Sequence, residues 1–213
     1  MYASTLLRLF YVKEMWRERA RLAGCRGPIR VSLVLGSSLL ASPISAELER
    51  GRDPDTGLLS WTWRHRGVSV QLVQRLPDQT RAFFLARGFN AEAADLIARA
   101  CVFQTIFRND GERPVTYDLG EWTVHHQGEE LGLRTREVWD REWQAQGIDQ
   151  PARIAFRWSL LPTVQRFEPG DYNWGMTSFG MAPGERFDLS LRTVVDGQAI
   201  VDTISAVICA PDR

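Results

Sequence analysis

Apolar and polar residues alternate in short segments after Leu58, which is the pattern of half-buried β-strands. Segments 59–65 and 68–72 are joined by Arg66-Gly67, so they predict a β-hairpin. Further strands are predicted over 101–107, 115–119, 122–126, 154–160, 187–191 and 199–209. The first three of these are expected to pair, and the alternation is clearest over 154–160, where every second residue is Ile, Phe, Trp or Leu.

Helical signals interrupt the strand pattern in two places. Asp78 and Asn90 can each cap a short helix, over 77–88 and 90–100. Segment 135–146 places Trp139 and Trp143 on one helical face before Gly147. Short strands with turn signals between them predict one mainly β domain over 58–213, an immunoglobulin-like β-sandwich with two short helical insertions. Residues 47–57 are charged and rich in turn formers, which predicts a flexible tail.

The first 46 residues have the order of regions found in a cleaved signal peptide. Arginines dominate 17–30, segment 31–41 carries no charge, and Ser42-Pro43-Ile44-Ser45-Ala46 resembles a small-residue cleavage site. The uncharged segment of 11 residues is shorter than the roughly 20 that a membrane-spanning helix needs. We therefore expect export to the periplasm, a mature chain that begins near Glu47, and no permanent membrane anchor.

Two details of this leader affect its interpretation. The apolar and aromatic residues before Met15 are untypical of a basic n-region, which favours Met15 as the true start. Leu22-Ala23-Gly24-Cys25 resembles a lipoprotein cleavage box, but it precedes the apolar segment instead of following it. Cys25 is therefore expected to be removed with the leader. The alternative is an amphipathic N-terminal helix of a cytosolic protein.

Charge argues against a nucleic-acid partner. The leader holds 7 of the 26 basic and 2 of the 26 acidic residues, so 19 basic and 24 acidic residues follow it, a net charge of −5. A nucleic-acid surface needs clustered positive charge to displace phosphate counterions. The mature chain is instead mildly acidic.

Cys101 and Cys209 are the two cysteines that remain after the leader. An even pair in an oxidising compartment predicts a disulfide. The alternative, a pair of thiolate metal ligands, lacks the short Cys-x-x-Cys spacing of such sites.

A copper site is the sharpest chemical hypothesis in the sequence. His125 and His126 lie beside a predicted turn, and Met176 and Met181 are close together in a Gly-rich segment. Imidazole and thioether groups are copper ligands, so these four residues would suit a periplasmic copper-binding accessory protein or chaperone. Against this, adjacent strand residues point to opposite faces, and methionine commonly fills gaps in a core.

Asp171-Tyr172-Asn173-Trp174 follows a Pro-Gly turn and is expected on a loop, where functional contacts concentrate. The alternative is an ordinary loop with a buried tryptophan. Evidence for an enzyme is weaker: the segment 175–180 is one residue too long for a nucleophile elbow, and no catalytic residues are predicted. The sequence therefore predicts a non-enzymatic periplasmic protein that binds or helps to assemble a protein partner, without a cofactor. A hydrolase or carbohydrate-binding module is the remaining alternative.

Overall fold

The computed structural model describes residues 45–212. The predictions for the leader, including the start at Met15 and the fate of Cys25, lie outside that part of the chain. Within it, eleven strands follow one another: β1 (Glu47–Arg52), β2 (Leu59–His65), β3 (Val68–Gln74), β4 (Val102–Asn109), β5 (Val115–Asp118), β6 (Thr123–His126), β7 (Glu129–Gly132), β8 (Val164–Phe167), β9 (Tyr172–Ser178), β10 (Arg186–Val195) and β11 (Gln198–Ile208).

These strands form two antiparallel sheets, as expected of a β-sandwich. Sheet A has the order β1-β2-β3-β4-β9. Sheet B has the order β7-β6-β10-β5-β8, and β11 pairs with the other side of β10. Strands β5 and β6 lie one after the other along β10, so they do not pair with β4 as the sequence suggested. The predicted mainly β sandwich is confirmed at this level of description.

The core between the sheets comes from the strand alternation that the sequence shows. Trp61, Trp63, Phe103 and Phe107 of sheet A are fully or almost fully buried in one cluster with residues of sheet B. The hairpin that joins β2 to β3 turns at Arg66-Gly67, where both residues have positive φ. That pair of angles suits a type I′ turn, whose twist matches the twist of the flanking strands.

Order begins earlier than predicted, because β1 takes the place of most of the flexible tail. Glu47–Arg52 pairs along the whole of β2, and Arg50 donates hydrogen bonds to the backbone oxygen and hydroxyl of Ser205 at 3.0 and 2.9 Å. The side chains of β1 are exposed or only partly buried, so no apolar alternation marks the strand. Main-chain pairing to β2, which leaves no composition signal, holds this segment in the sheet together with Arg50 and the half-buried Leu48.

Four helices pack against the outer face of sheet A: α1 (Pro77–Leu85), α2 (Ala91–Ala98), α3 (Arg136–Ala145) and α4 (Gln150–Ser159). The two helices of the first insertion are confirmed, and the Asn90 side chain accepts a hydrogen bond from the Ala93 backbone nitrogen at 2.8 Å, as a cap should. The cap predicted at Asp78 is wrong, because α1 begins after Leu76 and the Asp78 carboxylate, in its first turn, accepts from Arg81 instead. In the second insertion, Trp139 and Trp143 are buried as expected, and Trp139 Nε1 donates to Ser178 Oγ at 2.7 Å. These contacts attach the helical layer to β9.

The strand predicted over 154–160 is wrong, because this segment is helix α4 up to Ser159. Ala152 and Phe156 are buried, one helical turn apart, whereas Ile154 and Trp158 are exposed. The alternating residues therefore do not share one face. Pro151 in the first turn is the helix-start signal that the alternation obscured.

The predicted disulfide between Cys101 and Cys209 is confirmed. It joins the residue before β4 to the residue after β11, and so connects sheet A to sheet B across a sequence separation of 108. Both cysteines are buried in the core between the sheets. Separately, no helix within residues 45–212 has the length and apolar composition that crossing a membrane requires.

Candidate functional site

The segment predicted as a contact loop is mostly an edge strand. Tyr172–Ser178 forms β9, which pairs with β4 at the end of sheet A. Gly175 in the centre of β9 weakens the strand pattern of the sequence, because glycine is unfavourable inside strands. The structure nevertheless requires a glycine there, since a Cβ on residue 175 would lie 2.6 Å from the Leu161 backbone nitrogen. Only Asp171 lies in the preceding turn. The loop prediction is therefore corrected to a strand with two distinct faces.

Tyr172 and Trp174 point to the outer face of sheet A, whereas Asn173, which lies between them in sequence, points toward the other sheet. Their exposed fractions are 57% and 65%. The other two predicted residues have local roles: the Asp171 carboxylate accepts a hydrogen bond from the Glu168 backbone nitrogen at 2.8 Å, and Asn173 Nδ2 donates to Gln165 Oε1 at 2.7 Å. Of the four, Tyr172 and Trp174 are the exposed aromatic residues that a partner could contact.

Helix α4 brings a second exposed tryptophan to the same junction. Leu160, just beyond the helix, forms a parallel bridge to Met176, and the Leu161 backbone nitrogen donates to the Met176 oxygen at 3.1 Å. Trp158 and Trp174 each lie two residues before this bridge. Trp158 is 83% exposed. We call Trp158, Tyr172 and Trp174 the aromatic surface.

Sequence reasoning missed Trp158 because the strand prediction placed it among core residues. The signal that could have identified it is the helical period. Residues 152 and 156 share one face of a helix, so 154 and 158 share another, and Ile154 is also exposed, at 49%.

Two arginines give the aromatic surface a positive character. The Arg108 guanidinium lies 4.7 Å from the centre of the Tyr172 ring, in cation–π contact. Arg157 is exposed beside Trp158 on α4. In the described part of the chain neither arginine forms an ion pair, whereas nearby Arg153 binds both carboxylate oxygens of Asp140 at 2.9 Å. The pKa of Asp140 is lowered by that guanidinium and, to a lesser extent, by the charge of Arg157. Positive charge thus remains available at Arg108 and Arg157.

The edge of β9 is partly closed to an incoming strand. The Met176 oxygen already accepts from Leu161, and the Trp174 backbone nitrogen donates to the Asn173 side-chain oxygen at 2.8 Å. The addition of a strand from a partner requires unpaired backbone groups at the sheet edge, and these two groups are already paired. A partner would therefore meet the side-chain face of this region more readily than its main chain.

The two histidines of the copper hypothesis have separate surroundings. His125 Nε2 shares a hydrogen bond with Ser190 Oγ at 2.8 Å, whereas His126 Nδ1 donates to the Arg186 carbonyl oxygen at 2.9 Å. Their other ring nitrogens lie 3.5 Å from two different carboxylates, those of Glu130 and Glu185. Both imidazoles lie on strand β6, where adjacent side chains point to opposite faces.

The two methionines are also apart from each other. Met176 is buried in the cluster beneath the helices, and Met181 is buried in the core between the sheets. Across residues 45–212, no group of three or more His, Cys, Asp and Glu side chains is placed to hold a metal ion. The structure does not bring the four predicted copper ligands together.

Comparison with known proteins adds no family to this description. No protein-family model matches the chain, and neither does any curated protein or any solved structure in the searches made.

Proposed function

We propose that this chain is a non-enzymatic periplasmic β-sandwich protein that binds a protein partner through its aromatic surface. The observation that carries the proposal is the exposure of Trp158 on α4 and of Tyr172 and Trp174 on β9, two elements that meet at the bridge between Leu160 and Met176. Tryptophan, tyrosine and arginine are the residues that most often dominate the energetics of protein interfaces.

Covering the aromatic surface would supply part of the binding energy that a specific interface needs. Aromatic side chains bury about 150–250 Å² each, so covering the exposed parts of three rings removes roughly 400 Å² from water. At about 25 cal/mol/Å² this corresponds to about 10 kcal/mol. Association itself costs an estimated 4–15 kcal/mol, so further contacts around the rings are needed for tight binding. Arg108 and Arg157 are placed to supply them.

The charge of this region indicates the chemistry of the partner. Arg108 forms no ion pair within residues 45–212, and Arg157 acts on Asp140 only through its charge, because the hydrogen bonds to that carboxylate come from Arg153. Complementary charge steers association and fixes the register of an interface. We therefore expect the partner to present an apolar segment that is flanked by acidic side chains.

Export is part of the same proposal, and the disulfide supports it. Disulfides persist in oxidising compartments and are rare in a reducing cytoplasm. The bond between Cys101 and Cys209 connects the two sheets in the core. A signal peptide over residues 1–46 would deliver the chain to such a compartment, where this bond can form.

The immunoglobulin-like type of the sandwich is likewise proposed. Immunoglobulin domains have a disulfide between their two sheets that packs against a buried tryptophan. Here Cys101 and Cys209 are in one buried cluster with Trp61 and Trp63. The helical layer on sheet A would then be an addition to that arrangement.

Site-specific photo-crosslinking in the native host tests the proposal. A photoreactive amino acid is introduced at Trp158 in the full chain, and at Val201 as a matched control, since Val201 is a 64% exposed apolar residue of β11 in the other sheet. We expect one dominant protein adduct from position 158, recovered in the periplasmic fraction, and none of the same mass from position 201. Identical adducts from both positions, or none from position 158, would refute partner binding by this surface.

A further inference from the structure

Phe83 in α1 has two arginine neighbours. The centre of its ring lies 3.2 Å from the guanidinium carbon of Arg87 and 5.5 Å from that of Arg75. Arg75 lies between β3 and α1, and its backbone nitrogen donates to the Val102 oxygen at 3.2 Å. Arg87 Nη1 donates to the Phe83 carbonyl oxygen at 2.9 Å. Two cations are thus held beside one half-buried ring.

No negative charge in the described residues balances this pair. Neither Arg75 nor Arg87 has an ion-pair partner there, and the carboxylates of Asp78 in α1 and Asp95 in α2 bind Arg81, each at 2.7 Å. The Nε atom of Arg75 is buried and has no hydrogen-bond acceptor within the same part of the chain. The pair therefore combines two uncompensated charges with one unsatisfied donor.

A histidine or lysine in this position could lose its proton, but arginine remains charged in proteins. Burial, and to a lesser extent the charge of Arg87, lower the pKa of Arg75 from its usual value, though not enough to neutralise it. A buried polar donor without a partner is unfavourable and calls for an explanation, such as a ligand that supplies the acceptor. An anion beside both guanidinium groups would remove their repulsion and accept from Arg75 Nε.

We propose that Arg75 and Arg87, held beside Phe83, form a binding site for an oxyanion. Guanidinium groups bind carboxylate and phosphate oxygens through paired, charge-assisted hydrogen bonds, so the shared ligand chemistry is a carboxylate or phosphate group. Arg87 is exposed and Arg75 is partly exposed, which leaves the pair accessible. The site does not depend on the aromatic surface and would bind an anion whether or not that surface binds a protein.

The test follows the arginine side-chain Nε–H signals of the ¹⁵N-labelled full chain by NMR. Inorganic phosphate and acetate are the two probes, each titrated against chloride at constant ionic strength. We expect a saturable shift of the Arg75 signal. In Arg87→Gln the affinity should fall at least tenfold, and in Arg141→Gln it should not change, because Arg141 is an exposed helical arginine without an ion pair in the described residues.

The two probes distinguish the sources of the oxyanion. Saturation by phosphate alone identifies a phosphate site, and saturation by acetate alone or by both identifies a site that accepts carboxylates. Arg87→Lys is a second variant in case Arg87→Gln fails to fold. It keeps the positive charge but cannot form the paired hydrogen bonds of a guanidinium group, so it should bind the anion more weakly than the wild type. A linear, non-saturable shift with both probes, or wild-type affinity in both Arg87 variants, would overturn the proposal.

Discussion

Removal of the disulfide should cost a large share of the stability of the domain. The bond closes a loop with a sequence separation of 108. Chain-entropy arguments assign about 4.7 kcal/mol to a crosslink that closes a loop of about 100 residues. Domains are typically stable by only about 5–15 kcal/mol. Without this bond the domain should be only marginally stable.

The test uses the double variant Cys101→Ala/Cys209→Ala. Alanine is preferred to serine because serine would bury a hydroxyl group at each of two positions that are only 4% and 0% exposed. Urea denaturation followed by circular dichroism should give a free energy of unfolding about 4–5 kcal/mol lower than that of the oxidised wild type. For a domain of this size the midpoint of thermal unfolding should fall by roughly 10–19 °C.

The reduced wild type is the matched control, because it keeps both sulfur atoms and lacks only the bond. Its stability should lie within about 2 kcal/mol of the double variant, since each of the two buried truncations adds about 1 kcal/mol. If the oxidised wild type exceeded the reduced form by less than about 1 kcal/mol, the loop-entropy reasoning would be refuted for this protein.

Two further predictions concern packing and ionisation. Gly175→Ala should lower the free energy of unfolding by about 2 kcal/mol, because the added Cβ would lie 2.6 Å from the Leu161 backbone nitrogen. The control Gly132→Ala should change the free energy of unfolding by less than about 0.5 kcal/mol, because its Cβ would have no neighbour within 4 Å. Equal effects of the two substitutions in urea denaturation would contradict the described approach of β9. Arg153 lowers the pKa of Asp140, so the stabilisation by that carboxylate is present above its unfolded pKa and is lost as the pH falls below about 4. Asp140→Asn should therefore weaken the loss of stability between about pH 5 and pH 2, and an unchanged pH profile would count against the ion pair.

Sequence reasoning succeeded where one local rule decided the outcome. The hairpin at Arg66-Gly67 follows from turn chemistry, and the cap of α2 follows from the Asn90 side chain. The bond between Cys101 and Cys209 follows from the two cysteines that lie beyond the predicted leader and from an expected oxidising compartment. In each case the determining residues are adjacent in sequence or are the only members of their type between residues 45 and 212.

The errors arose where tertiary contacts decide the structure. Segment 154–160 fits both a strand and a helix, and the burial of Ala152 and Phe156 under the helical layer selects the helix. Strand β1 is held by main-chain pairing to β2, which no side-chain pattern reveals. For the candidate site, the sequence identified Tyr172 and Trp174, but the neighbouring Trp158 became apparent only once α4 was placed beside β9.

The most direct test of partner binding measures affinity once crosslinking from position 158 has identified the partner. Dissociation constants are determined for the wild type, for Trp158→Ala/Trp174→Ala and for Val201→Ala, whose residue lies on the other sheet and is about as exposed as Trp174. Loss of hot-spot residues costs about 2 kcal/mol or more, so the double variant should bind at least about 30-fold more weakly, with an unchanged unfolding midpoint. Val201→Ala should bind like the wild type. Wild-type affinity in the double variant would contradict the proposal that the aromatic surface binds the partner.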